Sequence, residues 1–210
     1  MEPTRRLKGK KALELMGLAS NDNSMQRSVG IAVLNALSAL LIKEHGIRGG
    51  RVVKGADALD VLRIKARDKL VMVGAFVPFI KKLKGRPNEL CIIDKHPKAL
   101  KEDERHLWRS PASIVDIMPQ ADIVIITGSS MVEGGLDGIL SACTSAREII
   151  LAGPTASMWP EPFFKRGVTA MAGISINDSD KLLQIVSEGG SGYFFTGPAR
   201  KMAIIKERCT

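Results

Sequence analysis

Two polar turns, a few carboxylates and one amide carry most of the chemistry this sequence could do. Thr127-Gly128-Ser129-Ser130 follows the β-branched run Ile123 to Ile126, and Gly153-Pro154-Thr155 follows a second apolar run that ends at Leu151 and Ala152. Hydroxyls beside glycines suit a small anion or a polar head group, because backbone N–H groups can approach a ligand there. Turn formation alone would use the same residue types. Asp94 ends the run Leu90-Cys91-Ile92-Ile93, where it could contact a hydroxyl, an amine or a metal, or simply cap the following turn. Glu133 and Asp137 are four residues apart, a spacing that places them on one helical face, able to hold a cation or move a proton. Acids in a first helical turn also have a purely structural use. Asn35 lies within an apolar stretch, and a buried amide there must either bond a neighbouring backbone or face a ligand.

Several chemistries lack their residues. Twenty positions separate Gly74 from Asp94, as in dinucleotide sites where an acid at the end of the second strand takes the ribose hydroxyls. The glycines do not follow: G-A-F-V-P-F stands where G-x-G-x-x-G would, so Phe76 and Phe79 occupy positions where the backbone should approach pyrophosphate. Ordinary NAD binding is therefore disfavoured. Cys91, His96, Glu104 and His106 form only a loose set of metal-ligand types with no standard spacing. No G-x-S-x-G elbow, H-E-x-x-H pair or P-loop is present, which removes support for serine-hydrolase, zincin and common nucleotide-hydrolase chemistry.

The elements that must position these residues alternate. Lys10 to Leu18 has helical spacing, Asn21 to Ser24 offers N-cap oxygens, and Met25 to about Glu44 reads as the longest helix, apolar enough to require a large packing partner. Arg51 to Lys54 reads as an edge strand or linker, and Asp57 to Leu62 as a short helix. Strands are expected at Leu70–Gly74, Leu90–Ile93, Ile123–Ile126, Glu148–Leu151 and Val168–Met171, with helices at Val77–Lys84, Ala112–Met118, after Ser130, Pro160–Lys165 and Ser179–Ser187. Pro78 sits early in its helix, where a missing N–H is tolerated. Lys95 to Ser110 reads as a long polar connection. Five strands alternating with helices imply an α/β protein with a doubly wound, parallel, Rossmann-like sheet. Its ligand crevice should lie beyond the carboxyl ends of the strands.

Composition sets the broader bounds. The 210 residues are 45% hydrophobic and 25% charged, as in ordinary folded domains. The net charge of +9 invites a nucleic-acid module, yet the basic residues are scattered in small groups (Arg5-Arg6-Lys8-Lys10-Lys11, Lys81-Lys82-Lys84-Arg86, Arg200-Lys201) and aromatic residues make up only 4%. A solvated surface explains them better than a nucleic-acid face. Ser28 to Ile42 is uncharged but falls short of the ~18–20 residues of a membrane helix and contains Asn35 and Ser38. With no signal-peptide pattern at the start, a cytoplasmic protein without a membrane span is expected. Cys91, Cys143 and Cys209 read as reduced thiols.

Taken in order, SMQRSVGIAVLNALSALL, VMVGAFVPFIKKL, ADIVIITGSSMVEGGLDGIL, IILAGPTASMWPEPFF and GVTAMAGISINDSDKLLQIVSEGG resemble the "putative heavy-metal chelation" family. The resemblance implies a small N-terminal domain similar to that of enolase (residues 1–66) joined to a Rossmann-like domain (residues 67–210), with an active-site cleft between them. It marks Asn35, Gly74, Pro78, Asp94, Thr127, Gly128, Asp137, Gly153 and Pro154. Family members usually begin with strands, whereas this chain starts almost directly at helices. The accessory sheet is then shortened or absent, and a partner subunit in a homo-oligomer is one way to complete the cleft. The combined expectation is a protein that binds a small polar or metal-bearing ligand between the Asn35 helix and the carboxyl edge of the sheet. Asp94 and Asp137 would contact a transition or heavy metal ion or an amine, while Thr127, Ser129 and Thr155 would hold an anionic part. The alternative is an enzyme that holds a nucleotide-type cofactor, NAD-like or S-adenosylmethionine-like, with Asp94 on the ribose.

Overall fold

Apolar β-branched runs line up as the centre of one sheet in a computed structural model of the chain, which describes Leu7 and residues 9–207. Arg5, Arg6, Lys8 and Cys209 lie outside the described residues. Among the described residues the first elements are α1 (Ala12–Met16) and the long α2 (Ser24–His45), then β1 (Gly50–Lys54), β2 (Lys69–Val73), α3 (Val77–Leu83), β3 (Glu89–Ile93) and β4 (Trp108–Arg109). It continues through α4 (Ile114–Ile117), β5 (Ile123–Thr127), α5 (Ser129–Glu133), α6 (Leu136–Ala142), β6 (Glu148–Ala152), α7 (Glu161–Lys165), β7 (Ala170–Ile176), α8 (Ser179–Ser187) and β8 (Ala199–Lys206).

Among the described residues, eight strands form one sheet in the order β1-β8-β7-β6-β5-β2-β3-β4. From β7 to β4 every pairing is parallel, while β8 pairs antiparallel with both β7 and β1. Counted alone, the six parallel strands follow the 3-2-1-4-5-6 order of a doubly wound sheet, which reverses direction between β2 and β5. Their uninterrupted apolar runs follow from burial on both faces. Val71, Val73, Val124 and Ile126 face the side covered by α4, α5, α6 and α7, and Leu70, Met72, Ile123 and Ile125 face the side covered by α3.

The five expected strands are β2, β3, β5, β6 and β7, with β7 displaced to Ala170–Ile176. Three more belong to the sheet. Residues 51–54 form part of edge strand β1, β4 interrupts the expected polar connection, and β8 lies beyond the last glycine-rich turn. Residues 50–54 thus share the sheet of the chain after residue 67. Asp57 to Leu62 contains only a 3-10 turn at Ala58–Asp60, capped through Asp57. The expected Ala112–Met118 helix is a single α-turn between two 3-10 turns, because Pro111 and Pro119 limit it at both ends.

α2 starts where Asn23 Oδ1 accepts from the N–H groups of Met25 and Gln26. Its packing differs from the expectation: only Gly30, Ile31 and Ser38 are buried, and Met25, Leu40 and Leu41 are exposed. By length and composition alone, with a mean hydropathy of 1.5, α2 reaches what a membrane crossing requires. It is nonetheless tied to the sheet body. Arg27 Nη1 donates to Val132 O at 2.7 Å, and Asn35 Nδ2 donates to Thr155 O at 3.1 Å.

Candidate ligand-binding cleft

Where the sheet order reverses, the connections leaving β2 and β5 run to opposite faces of the sheet and leave a cleft of about 740 Å³. Crevices at such switch points are where open α/β sheets bind ligands. Gly74 and Phe76 come from the β2 turn, Asp94 and His96 from the β3 turn, Thr127 and Ser129 from the β5 turn, and Ile114 and Val115 from α4.

Asp94 organises one wall. Its Oδ2 accepts from Ala75 N and its Oδ1 from His96 N, both at 2.9 Å, so one carboxylate joins the β2 and β3 turns. Trp108 Nε1 donates to Asp94 O at 2.9 Å and fixes the same turn from β4. Gly74 makes the opposite approach possible. Its φ is +89°, and a Cβ there would lie 2.8 Å from Thr127 Cγ2. Within the β5 turn, Ser130 Oγ donates to Thr127 O at 2.7 Å, and Thr127 Oγ1 accepts from Ser129 N at 3.3 Å. Lys95 and Glu133 form an ion pair that joins the β3 turn to α5 along the cleft.

Gly74, Asp94, Thr127 and Ser129 are thus brought together. Asn35, Gly128, Gly153, Pro154 and Thr155 do not line the cleft. Gly128 N bonds Ala152 O and Gly153 N bonds Ala172 O, so both continue the sheet ladder into their turns. Asn35 bonds the Thr155 backbone through Nδ2, while its Oδ1 is buried with no hydrogen-bond partner among the described residues. Pro78 is exposed on α3, away from the lining.

The expectation that Glu133 and Asp137 share one helical face is corrected. Gly134, at φ +77°, ends α5, and a Cβ there would meet Arg27 Nη1 at 2.7 Å. Asp137 therefore lies in the first turn of a separate helix, exposed, with its carboxylate 2.6 Å from Arg166 Nη1. It does not line the cleft with Asp94.

Among the described residues, no group of three or more His, Cys, Asp or Glu side chains is placed to hold a metal ion. The loose set noticed in the sequence is dispersed: Glu104 is buried and paired with Lys84 at 2.8 Å, and Cys91 is buried on β3. Burial pushes the Cys91 thiol up and the Cys143 thiol to about 11, which disfavours the thiolate a metal requires. A cage of protein ligands is not a fit for these residues. What sequence reasoning missed is the apolar side of the cleft, formed by Ala99, Pro111, Ile114 and Val115. Its signal was the two-residue strand β4, too short to register as periodicity.

Residues 57–205 match a family model described as "Putative heavy-metal chelation", and residues 1–38 match a second model with the same description. An uncharacterized protein of Methanocaldococcus jannaschii is 28% identical over 190 residues, which is 90% of this chain and 69% of that protein. A crystal structure of a protein of unknown function from Pyrococcus horikoshii superposes with a TM-score of 0.79 at 23% identity, over 96% of this chain and 79% of that one. One from Desulfitobacterium hafniense gives 0.75 at 23%, over 93% and 74%.

Proposed function

We propose, for a chain that belongs to the "Putative heavy-metal chelation" family, that the cleft at the sheet reversal binds a small polar molecule and that any metal arrives as part of that molecule. The observation that carries this reading is the pairing of a 740 Å³ cleft with a donor set too sparse for a bare ion. A dehydrated transition metal needs about four protein ligands in a closed site. Asp94 supplies one carboxylate, already oriented by two backbone N–H groups. The hydroxyls of Thr127 and Ser129 supply the complementary side for an anionic or polar group. The Asp94 carboxylate can accept from water or hydroxyl bound to such a metal, and the hydroxyls can donate to its anionic ligands, contacts that leave the metal's own ligands in place.

Thermal unfolding with zinc sulfate and with zinc citrate as probes tests this. Zinc citrate should raise the midpoint of the wild-type chain, and zinc sulfate at the same concentration should not. Asp94→Ala should abolish the response, since a ligand at a hundred times its dissociation constant adds about 2.7 kcal/mol. Equal stabilisation by both probes, unchanged in Asp94→Ala, would place metal binding elsewhere and defeat the proposal.

A further inference from the structure

Ala99, Pro111, Ile114 and Val115 form an apolar wall on the β3–β4 side of the cleft that the chelate reading leaves unused. Val115 is 71% exposed at its edge, a large apolar side chain left at the mouth of an opening. Asp94 stands between this wall and the β2 turn. Each of its oxygens accepts one backbone N–H. An ionised carboxylate offers about four acceptor sites, so one remains on each oxygen, the complement of a vicinal diol.

The β2 turn, where a phosphate would sit in a dinucleotide site, keeps only the Phe76 and Val77 N–H groups without a hydrogen bond among the described residues. The Ala75 N–H is taken by Asp94, the Phe79 N–H bonds Phe76 O at 2.9 Å, and Pro78 has none. Phe76, stacked on Phe79 with ring centroids 5.1 Å apart, adds bulk on the same side. We propose that the cleft contains a subsite for a phosphate-free nucleoside, with a purine against Ile114 and Val115, ribose hydroxyls on Asp94, and a polar tail toward Thr127 and Ser129. This rests on the cleft being the ligand site, but not on any metal.

Titration calorimetry with adenosine, 2′-deoxyadenosine, S-adenosylhomocysteine and NAD tests it. Adenosine and S-adenosylhomocysteine should bind, and 2′-deoxyadenosine and NAD should each bind about tenfold more weakly or worse, through a lost charge-assisted bond or an unmatched pyrophosphate. Val115→Trp should weaken adenosine by about tenfold by filling the slot, with an unchanged unfolding midpoint for the unliganded protein. Asp94→Asn should remove the preference for ribose over deoxyribose. Adenosine binding that is indifferent to both the 2′-hydroxyl and Val115→Trp would overturn the subsite. If zinc citrate binds and no nucleoside does, the subsite fails while the cleft reading stands; if neither binds, both fail.

Discussion

Gly74 and Asp94, neighbours at the ends of β2 and β3, set the shape of the cleft in different ways, and each can be tested by a single substitution. Asp94 does so by bonds, joining two turns through its two oxygens. Gly74 does so by absence, since Thr127 Cβ and Cγ2 lie within 2.9 Å of where its side chain would begin. Gly74→Ala should destabilise the chain by about 2 kcal/mol, combining left-handed strain with a clash. Urea unfolding should show a lowered midpoint with an unchanged slope. Thr127→Ser in the same chain should recover part of the loss, because it removes Cγ2; no recovery would mean that the two residues do not meet. Asn35 illustrates the limit of reading one residue from sequence. That its amide would either bond a neighbouring backbone or face a ligand was legible, and Nδ2 does the former, donating to Thr155 O 120 positions away from a half-buried position on α2. That its second polar atom is left without a partner was not legible, because it depends on the orientation of α2 against the sheet.

At the scale of elements, the edge of the sheet opposite the cleft is locked by a charge pair. Asp68, just before β2, is 5% exposed, and its Oδ1 accepts from Arg147 Nη1, just before β6, at 2.8 Å. The guanidinium hydrogen bond holds the Asp68 carboxyl below the usual carboxylate range against the opposing effect of burial. A depressed native pKa means that the pair's stabilisation is fully present above the ordinary pKa near 3.9 and is lost as pH falls through the lower native value. Asp68→Asn should therefore cost about 2 kcal/mol at pH 7, and the gap to wild type in urea unfolding should narrow below about pH 4. A gap that stays constant to pH 3 would contradict the pairing. The strands that this lock joins were legible, since both-face burial leaves continuous apolar runs. The helix after β5 was misread as one piece, because its break is a left-handed turn at Gly134 that leaves room for Arg27, a residue in the first turn of α2.

For the whole molecule, the alternation of strands and helices was enough to expect a cleft at the sheet's switch point, because a parallel doubly wound sheet puts its switch-point turns at one edge. β1 and β8, which extend the sheet antiparallel beyond β7, needed a long-range pairing that no local pattern announces. The same topology separates Asp94 from Asp137 and leaves the cleft with hydroxyls, one organised carboxylate and an apolar wall. Its location can be read directly by amide chemical shifts of the nitrogen-15-labelled chain, titrated with zinc citrate and, separately, with zinc sulfate. The cleft account predicts that zinc citrate moves the amides of Ala75, His96 and Ser129 together, and that zinc sulfate leaves them in place. Shifts centred on Asp137 and Arg166, or spread along α2 with those three unmoved, would contradict it.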